Sequence, residues 1–315
     1  GEAGLGKSRL MAEFRELAAA NYDALWFEGR SLSYETKTPY SPFIDILTSA
    51  LAKTGLGSES WNYEEFKSGI VTLTPNTGPE SAPHLAAIVG TEPTGEDLEV
   101  VRYLYPPRAR EKTFNAARAF FQELATARPL ILVFDDLHWV DPTSLDLIKL
   151  LMPIADQCPL MLISMFRLQR NEPSWEYFEF ASREFGHRQV KLTLLPLDAD
   201  DAQELVANLL EVDDLPIKVR SLILDKSEGN PFFVEEVIRT MLDQGLVVRR
   251  DDQAGGKAHR MFIFTHALTQ ASAYESVLRG DRRRTAPGHC HVPRTAPVRR
   301  ATRRHAPPRS PNGPR

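Results

Sequence analysis

The chain is poor in cysteine, in long apolar runs and, over its final stretch, in acid. Cys158 and Cys290 are the only cysteines in 315 residues, too few for a disulfide framework and not spaced as a metal cluster. The longest apolar stretches are "LILVF" (130–134) and the mostly apolar "LMLISMF" (160–166). Both are strand-length and far short of the roughly 20 residues of a membrane helix, so no membrane partner is expected. No secretory signal opens the sequence, and a reducing, cytoplasmic setting is the expectation. From Thr285 to Arg315 there is no Asp, Glu, Lys, Leu, Ile or Phe, whereas seven Arg, seven Pro and three His occur. Against a net charge of −4 for the whole chain, those seven Arg leave residues 1–284 at −11 with His neutral. Such a tail has nothing to bury and is expected to be disordered. It reads either as a nucleic-acid-binding arm or as a reading-frame slip in GC-rich coding DNA. The abrupt change of vocabulary favours the slip, so direct nucleic-acid binding by this segment is not expected.

What remains is the composition of a globular protein, 42% hydrophobic and 25% charged, with strand and helix signals in alternation. Ser8 to Ala20 carries Leu10, Phe14 and Leu17 at helical spacing, and "ALWFEG" (24–29) is a short apolar strand. Arg30 to Arg128 is mostly helical where it is periodic. Its last helix sets Phe114, Ala117, Phe121 and Leu124 on one face, and the "RP" at 128–129 stops it. "LILVF" then reads as a strand buried on both faces. Asp141-Pro142 reads as a helix N-cap and first-turn proline. Tyr40 and Phe43 in "KTPYSPF" read as a buried turn, and "VKLTLL" (190–195) as a further strand after "LMLISMF". Strands separated by helices predict a parallel sheet covered on both faces.

Two segments carry chemistry. Gly1, Gly6, Lys7 and Ser8 in "GEAGLGKSRL" fit G-x-x-x-x-G-K-[ST], the phosphate-binding P-loop. Gly1, Gly4 and Gly6 let backbone N–H groups curl around a polyphosphate, and the next helix directs its positive end at the same anion. In that pattern Lys7 reaches the β- and γ-phosphates and the Ser8 hydroxyl holds Mg²⁺. "LILVFDD" ends a buried strand in two acids. Asp135 would hold the Mg²⁺ shell, and Asp136 would be the base for an attacking water. Asp136 stands where many P-loop ATPases carry a Glu that reaches further toward water, and the hydrolysis expected is slow. The cofactors implied are ATP and Mg²⁺.

"GEAGLGKSRL", "LILVFDDLHWVDPTSLDLI", "SEGNPFFVEEVIRTMLDQGLV" and "FTHALTQASAYESVL" together resemble the STAND-type signalling ATPases, a branch of the AAA+-like P-loop proteins. More narrowly, they are similar to the ATPase module beside bacterial adenylate/guanylate cyclase domains and in large helical-repeat transcriptional regulators. The resemblance spans about residues 1–284. It implies that Arg167 is the sensor arginine near the γ-phosphate, that Pro231 of "GNP" packs near the adenine, and that His266 senses the β-phosphate. His138 and Trp139 belong to the same signature without an assigned role. The family also places a strand directly before the P-loop, between the sensor strand and the last strand of the sheet. With Gly1 as residue one, that strand is expected to be missing, and tight ATP binding to need it.

The expected architecture is α/β: a P-loop NTPase parallel sheet lacking its first strand, a C-terminal helical lid, and the start of a winged-helix-like region. The expected divisions are a core over 1–196, a lid over 197–245, a wing-like hairpin and helix over 246–284, and the tail over 285–315. The expected function is an ATP-binding signalling switch with slow Mg²⁺-dependent hydrolysis. Its partners would be ATP and ADP, the cyclase, helical-repeat or DNA-binding domains of a larger bacterial protein, and further copies of itself under nucleotide control. The competing reading is a nucleotide-gated scaffold that never hydrolyses ATP. A small-molecule P-loop kinase is disfavoured by "DDLHW" and "GNPFFVEE".

Overall fold

Three strands, β1 (Leu25–Arg30), β2 (Leu130–Asp135) and β3 (Leu160–Ser164), pair in parallel in the order β1-β2-β3. β2 is central: Leu25 to Arg30 register against Leu130 to Asp135, and Leu130 to Phe134 against Leu160 to Ser164. The computed structural model describes residues 2–32, 38–57, 61–167, 172–210, 227–243, 247–252 and 259–264. Among the described residues the α-helices are α1 (Lys7–Asn21), α2 (Ser41–Ala52), α3 (Tyr63–Leu73), α4 (Gly78–Val89), α5 (Gly95–Arg102), α6 (Pro106–Ala127), α7 (Pro142–Leu151), α8 (Pro173–Glu184), α9 (Ala199–Leu210) and α10 (Pro231–Asp243). The chain divides into two units, Gly1–Arg239 and Thr240–Arg315. Within the second, β4 (Val247–Asp252) and β5 (His259–Phe264) pair antiparallel, Val247 opposite Phe264. His266 and the tail lie outside the described residues. No helix among the described residues is long and apolar enough to cross a membrane.

The two-residue period of a strand decides which layer each β2 side chain enters. Leu130, Leu132 and Phe134 join the larger core with Phe27 of β1, Phe43 of α2 and Phe120 and Phe121 of α6. Ile131 and Val133 face the other way, onto Met11, Phe14 and Ala18 of α1, with Met165 completing that layer. By the same parity Asp135 emerges on the α1 side. The approach of α2 to β1 is close: a Cβ on Gly29 would stand 2.0 Å from the carbonyl oxygen of Pro42. Only glycine fits there.

The interval between β1 and β2 is a helical layer, as the periodicity predicts. α6 buries Ala117, Phe121 and Leu124 and ends at Ala127, where Arg128 turns extended ahead of Pro129. Asp141 caps α7 by accepting from the Ser144 N–H at 2.9 Å. Phe43 is fully buried in the first turn of α2, while Tyr40 caps that helix in a left-handed conformation, φ 66°. Glu123 of α6 clamps the turn before α4: Oε1 accepts from N and Nδ2 of Asn76, and Oε2 from N and Oγ1 of Thr77.

Two expectations are corrected. The buried stripe of α1 is Met11, Phe14 and Ala18; Leu10 and Leu17 are exposed, because the helix turns its Phe14 side, one step round from the leucines, onto the sheet. Residues 190–195 form no strand. A strand exists only through its pairing, and this segment meets no sheet edge among the described residues. Val190, Leu192 and Leu195 remain 82%, 73% and 72% exposed.

Glu123 yields a stability prediction. Partial burial pushes its carboxyl up, but the four donors outweigh that and hold it below its ordinary 4.5. A depressed pKa contributes stability above the unfolded value and loses it as pH falls through the folded one. Glu123→Gln should cost about 1–2 kcal/mol at pH 7, read as a melting temperature lower by about 2–4 °C. The deficit should shrink on acidification below about pH 4. Equal melting at pH 7 would contradict the clamp.

Candidate functional site

In an open parallel sheet, ligands bind beyond the carboxyl ends of the strands. Here those ends are Arg30, Asp135 and the "SMFR" segment after β3. The turn that follows β2 is tied to the last of these: Phe134 accepts from the Met165 N–H at 2.8 Å, and Met165 from the Leu137 N–H at 3.0 Å. Residues 163 and 165 sit on the α1 face, and the alternation brings Arg167 to that side as well.

The glycine loop precedes α1. Gly4 and Gly6 adopt φ 81° and 86°, conformations that few other residues tolerate. Leu5 anchors the loop by burial, and Gly6 caps α1. The first turn of α1 contains no acidic residue, so no carboxylate of its own offsets the helix's positive end. Ser8 is exposed in that turn. Lys7 folds back over the loop, donating to the carbonyl of Glu2 at 2.8 Å. Gly1 lies outside the described residues.

Electrostatics shows which charges gather. Burial pushes the Lys7 ammonium below its ordinary range; Arg167 adds to this, and Asp136 and Asp135 oppose it. Asp135 is pushed the other way: burial and the charge of Asp136 raise its carboxyl, against the Asp136 N–H that it accepts at 2.8 Å and the Arg30 guanidinium. Asp136 has φ 55°, a left-handed turn that aims its side chain away from the strand's own alternation. His138 follows in a short 3₁₀ turn, Leu137–Trp139. Lys7, Asp135, Asp136 and Arg167 are therefore brought together at one end of the sheet.

Some contacts have no precedent in the motif reading. Arg30 Nε lies 3.7 Å from Oδ2 of Asp135; the parallel register placed it there, and only the pairing of β1 with β2 could have announced it. The "GNP" segment touches the loop directly. Asn230 Nδ2 donates to the Ala3 carbonyl at 3.1 Å, and the Phe232 N–H donates to the Gly4 carbonyl at 3.3 Å. Asn230 Oδ1 also accepts from the Phe232 N–H at 3.1 Å, as a residue capping α10 should. Pro231 sits between these two loop contacts. His266 lies outside the described residues.

A family model of the AAA ATPase domain matches residues 1–163, and one of a domain of unknown function (DUF8739) matches residues 198–255. An uncharacterized protein of Rhizobium meliloti (strain 1021) is 24% identical over 246 residues, or 75% of this chain. The chain spans only 22% of that relative.

The contact between loop and α10 is testable by coupling. A Cβ on Gly4 would stand 2.5 Å from Asn230 Oδ1 and 2.9 Å from Phe232 Cβ. Gly4→Ala should destabilise by about 1–2 kcal/mol from its positive φ alone, and further through the clash. In thermal melts, adding Asn230→Ala to it should recover part of the loss, a coupling of at least ~0.5 kcal/mol. Additive effects would show that the two segments do not meet.

Proposed function

The chain belongs to the AAA ATPase domain family, and on that premise we propose that it is an ATP-binding switch of the STAND branch, with slow Mg²⁺-dependent hydrolysis. It would serve as the regulatory module of a larger bacterial signalling or transcription protein. The observation that carries this reading is the convergence of Lys7, Asp135, Asp136 and Arg167 beside a glycine loop whose outer carbonyls are held by the start of α10.

Each residue has work that suits its place. The loop N–H groups and the end of α1 receive the phosphates, and Lys7 exchanges the Glu2 carbonyl for β- and γ-phosphate oxygens. Ser8 and Asp135 are the residues that would hold Mg²⁺. Among the described residues no group of three or more His, Cys, Asp or Glu could hold a metal, which fits an ion that takes one or two protein ligands and the rest from phosphates. When bound, Mg²⁺ would neutralise charge on the β- and γ-phosphates. Asp136 accepts the proton of the attacking water, and Arg167 stabilises charge growing on the γ-phosphate.

The switch lies in the loop–α10 contact. A phosphate loop turns its N–H groups inward, so its carbonyls face out, and Asn230 and Phe232 bind those carbonyls. A loop re-formed around ATP or ADP presents them differently, and the helices of residues 197–245, the proposed lid, would respond. Pro231, within that contact, is where the adenine would pack.

Multiple-turnover phosphate release tests the reading. Asp136→Asn should keep ATP affinity within about threefold, below the ~1.4 kcal/mol of a tenfold change, and abolish hydrolysis. Asp135→Asn should weaken the Mg²⁺ dependence of binding. Equal turnover by wild type and Asp136→Asn would remove Asp136 from the chemistry. A wild type that binds ATP without turnover would favour the scaffold.

A further inference from the structure

His138 has no role in the chemistry above, yet it is the most deeply buried polar ring at the site. Its side chain is 2% exposed, and neither Nδ1 nor Nε2 has a hydrogen-bond partner among the described residues. Buried polar atoms in native proteins are almost always paired. Nδ1 lies 3.8 Å from Oδ1 of Asp136, too long for a hydrogen bond and about 1 Å from making one. The enclosed ring has little room to move: it lies against Trp139 with centroids 4.3 Å apart. Trp139 in turn has the Arg167 guanidinium 5.9 Å from its ring centroid. The Asp136 carboxylate is 30% exposed and rides on a left-handed turn. It is the free partner.

We propose that His138 is a positioning residue for Asp136: its Nδ1–H donates to Oδ1 of Asp136 once nucleotide is bound, and so aims the second carboxylate oxygen at the attacking water. A neutral imidazole offers one donor and one acceptor, and burial favours that neutral form here. No proton leaves the ring. Asp136 remains the acceptor, and His138 narrows the directions in which it points. The catalytic consequence rests on the ATPase reading; the pairing does not.

The test uses the full-length protein with ¹⁵N-labelled histidine. His138 should be the Nδ1–H tautomer, and a non-hydrolysable ATP analogue should move that proton downfield as the bond shortens. Asp136→Asn should diminish the move. In kinetics, His138→Phe should keep the melting temperature and KM for ATP while lowering kcat about tenfold to a hundredfold. His138→Asn, which retains a donor near the Nδ1 position, should recover part of the rate. An Nε2–H tautomer in both states, or wild-type turnover by His138→Phe, overturns the proposal. If the Phe variant does not fold, the wild-type nitrogen and proton shifts decide. Absence of hydrolysis in the wild type overturns the ATPase reading instead, and the tautomer still judges the pairing.

Discussion

The pairing of β2 on both edges is the constraint on which the site depends. A strand flanked on both sides and covered on both faces must be apolar throughout, and "LILVF" is. Its last residue is an acid, placed by parity on the α1 face, where the glycine loop begins its helix. Burial there is costly for a carboxylate, and the Asp136 N–H and Arg30 reduce that cost without removing it. The result is a carboxyl with a raised pKa. Lys7 feels the same two acids, which pull its ammonium back up against the burial that lowers it.

The loop is poised between two sets of partners. Its Lys7 is held by the Glu2 carbonyl and its outer carbonyls by Asn230 and Phe232. Each such hydrogen bond has a net worth of about 1 kcal/mol. Exchanging two of them as nucleotide enters would shift a two-state equilibrium by about thirtyfold, at 1.4 kcal/mol per factor of ten. That suffices to bias such an equilibrium and falls short of an all-or-none change.

Much of this was legible in the sequence wherever local signals and tertiary demands coincide. The glycine loop, the buried strand ending in acids, the Asp141-Pro142 cap and the apolar face of α6 each state their structure within a few residues. The failures are equally physical. The leucines of α1 share its helical period, but the face that meets the sheet runs through Met11, Phe14 and Ala18. Residues 190–195 have strand composition without an edge to pair with among the described residues. The Asn230 contact joins positions 227 apart, a separation that no local signal spans. His138 could be flagged only as part of a signature; its orphaned nitrogens exist only in three dimensions.

The central claim is that the loop and the acids after β2 form one nucleotide site. Its most direct test is calorimetric titration of ATP, with and without Mg²⁺, into the full-length protein and its Lys7→Ala variant. The account predicts one ATP per chain, tighter with Mg²⁺. Lys7→Ala should weaken binding at least tenfold, about 1.4 kcal/mol, with no loss of melting temperature in the absence of nucleotide. Equal affinity of wild type and Lys7→Ala would contradict it.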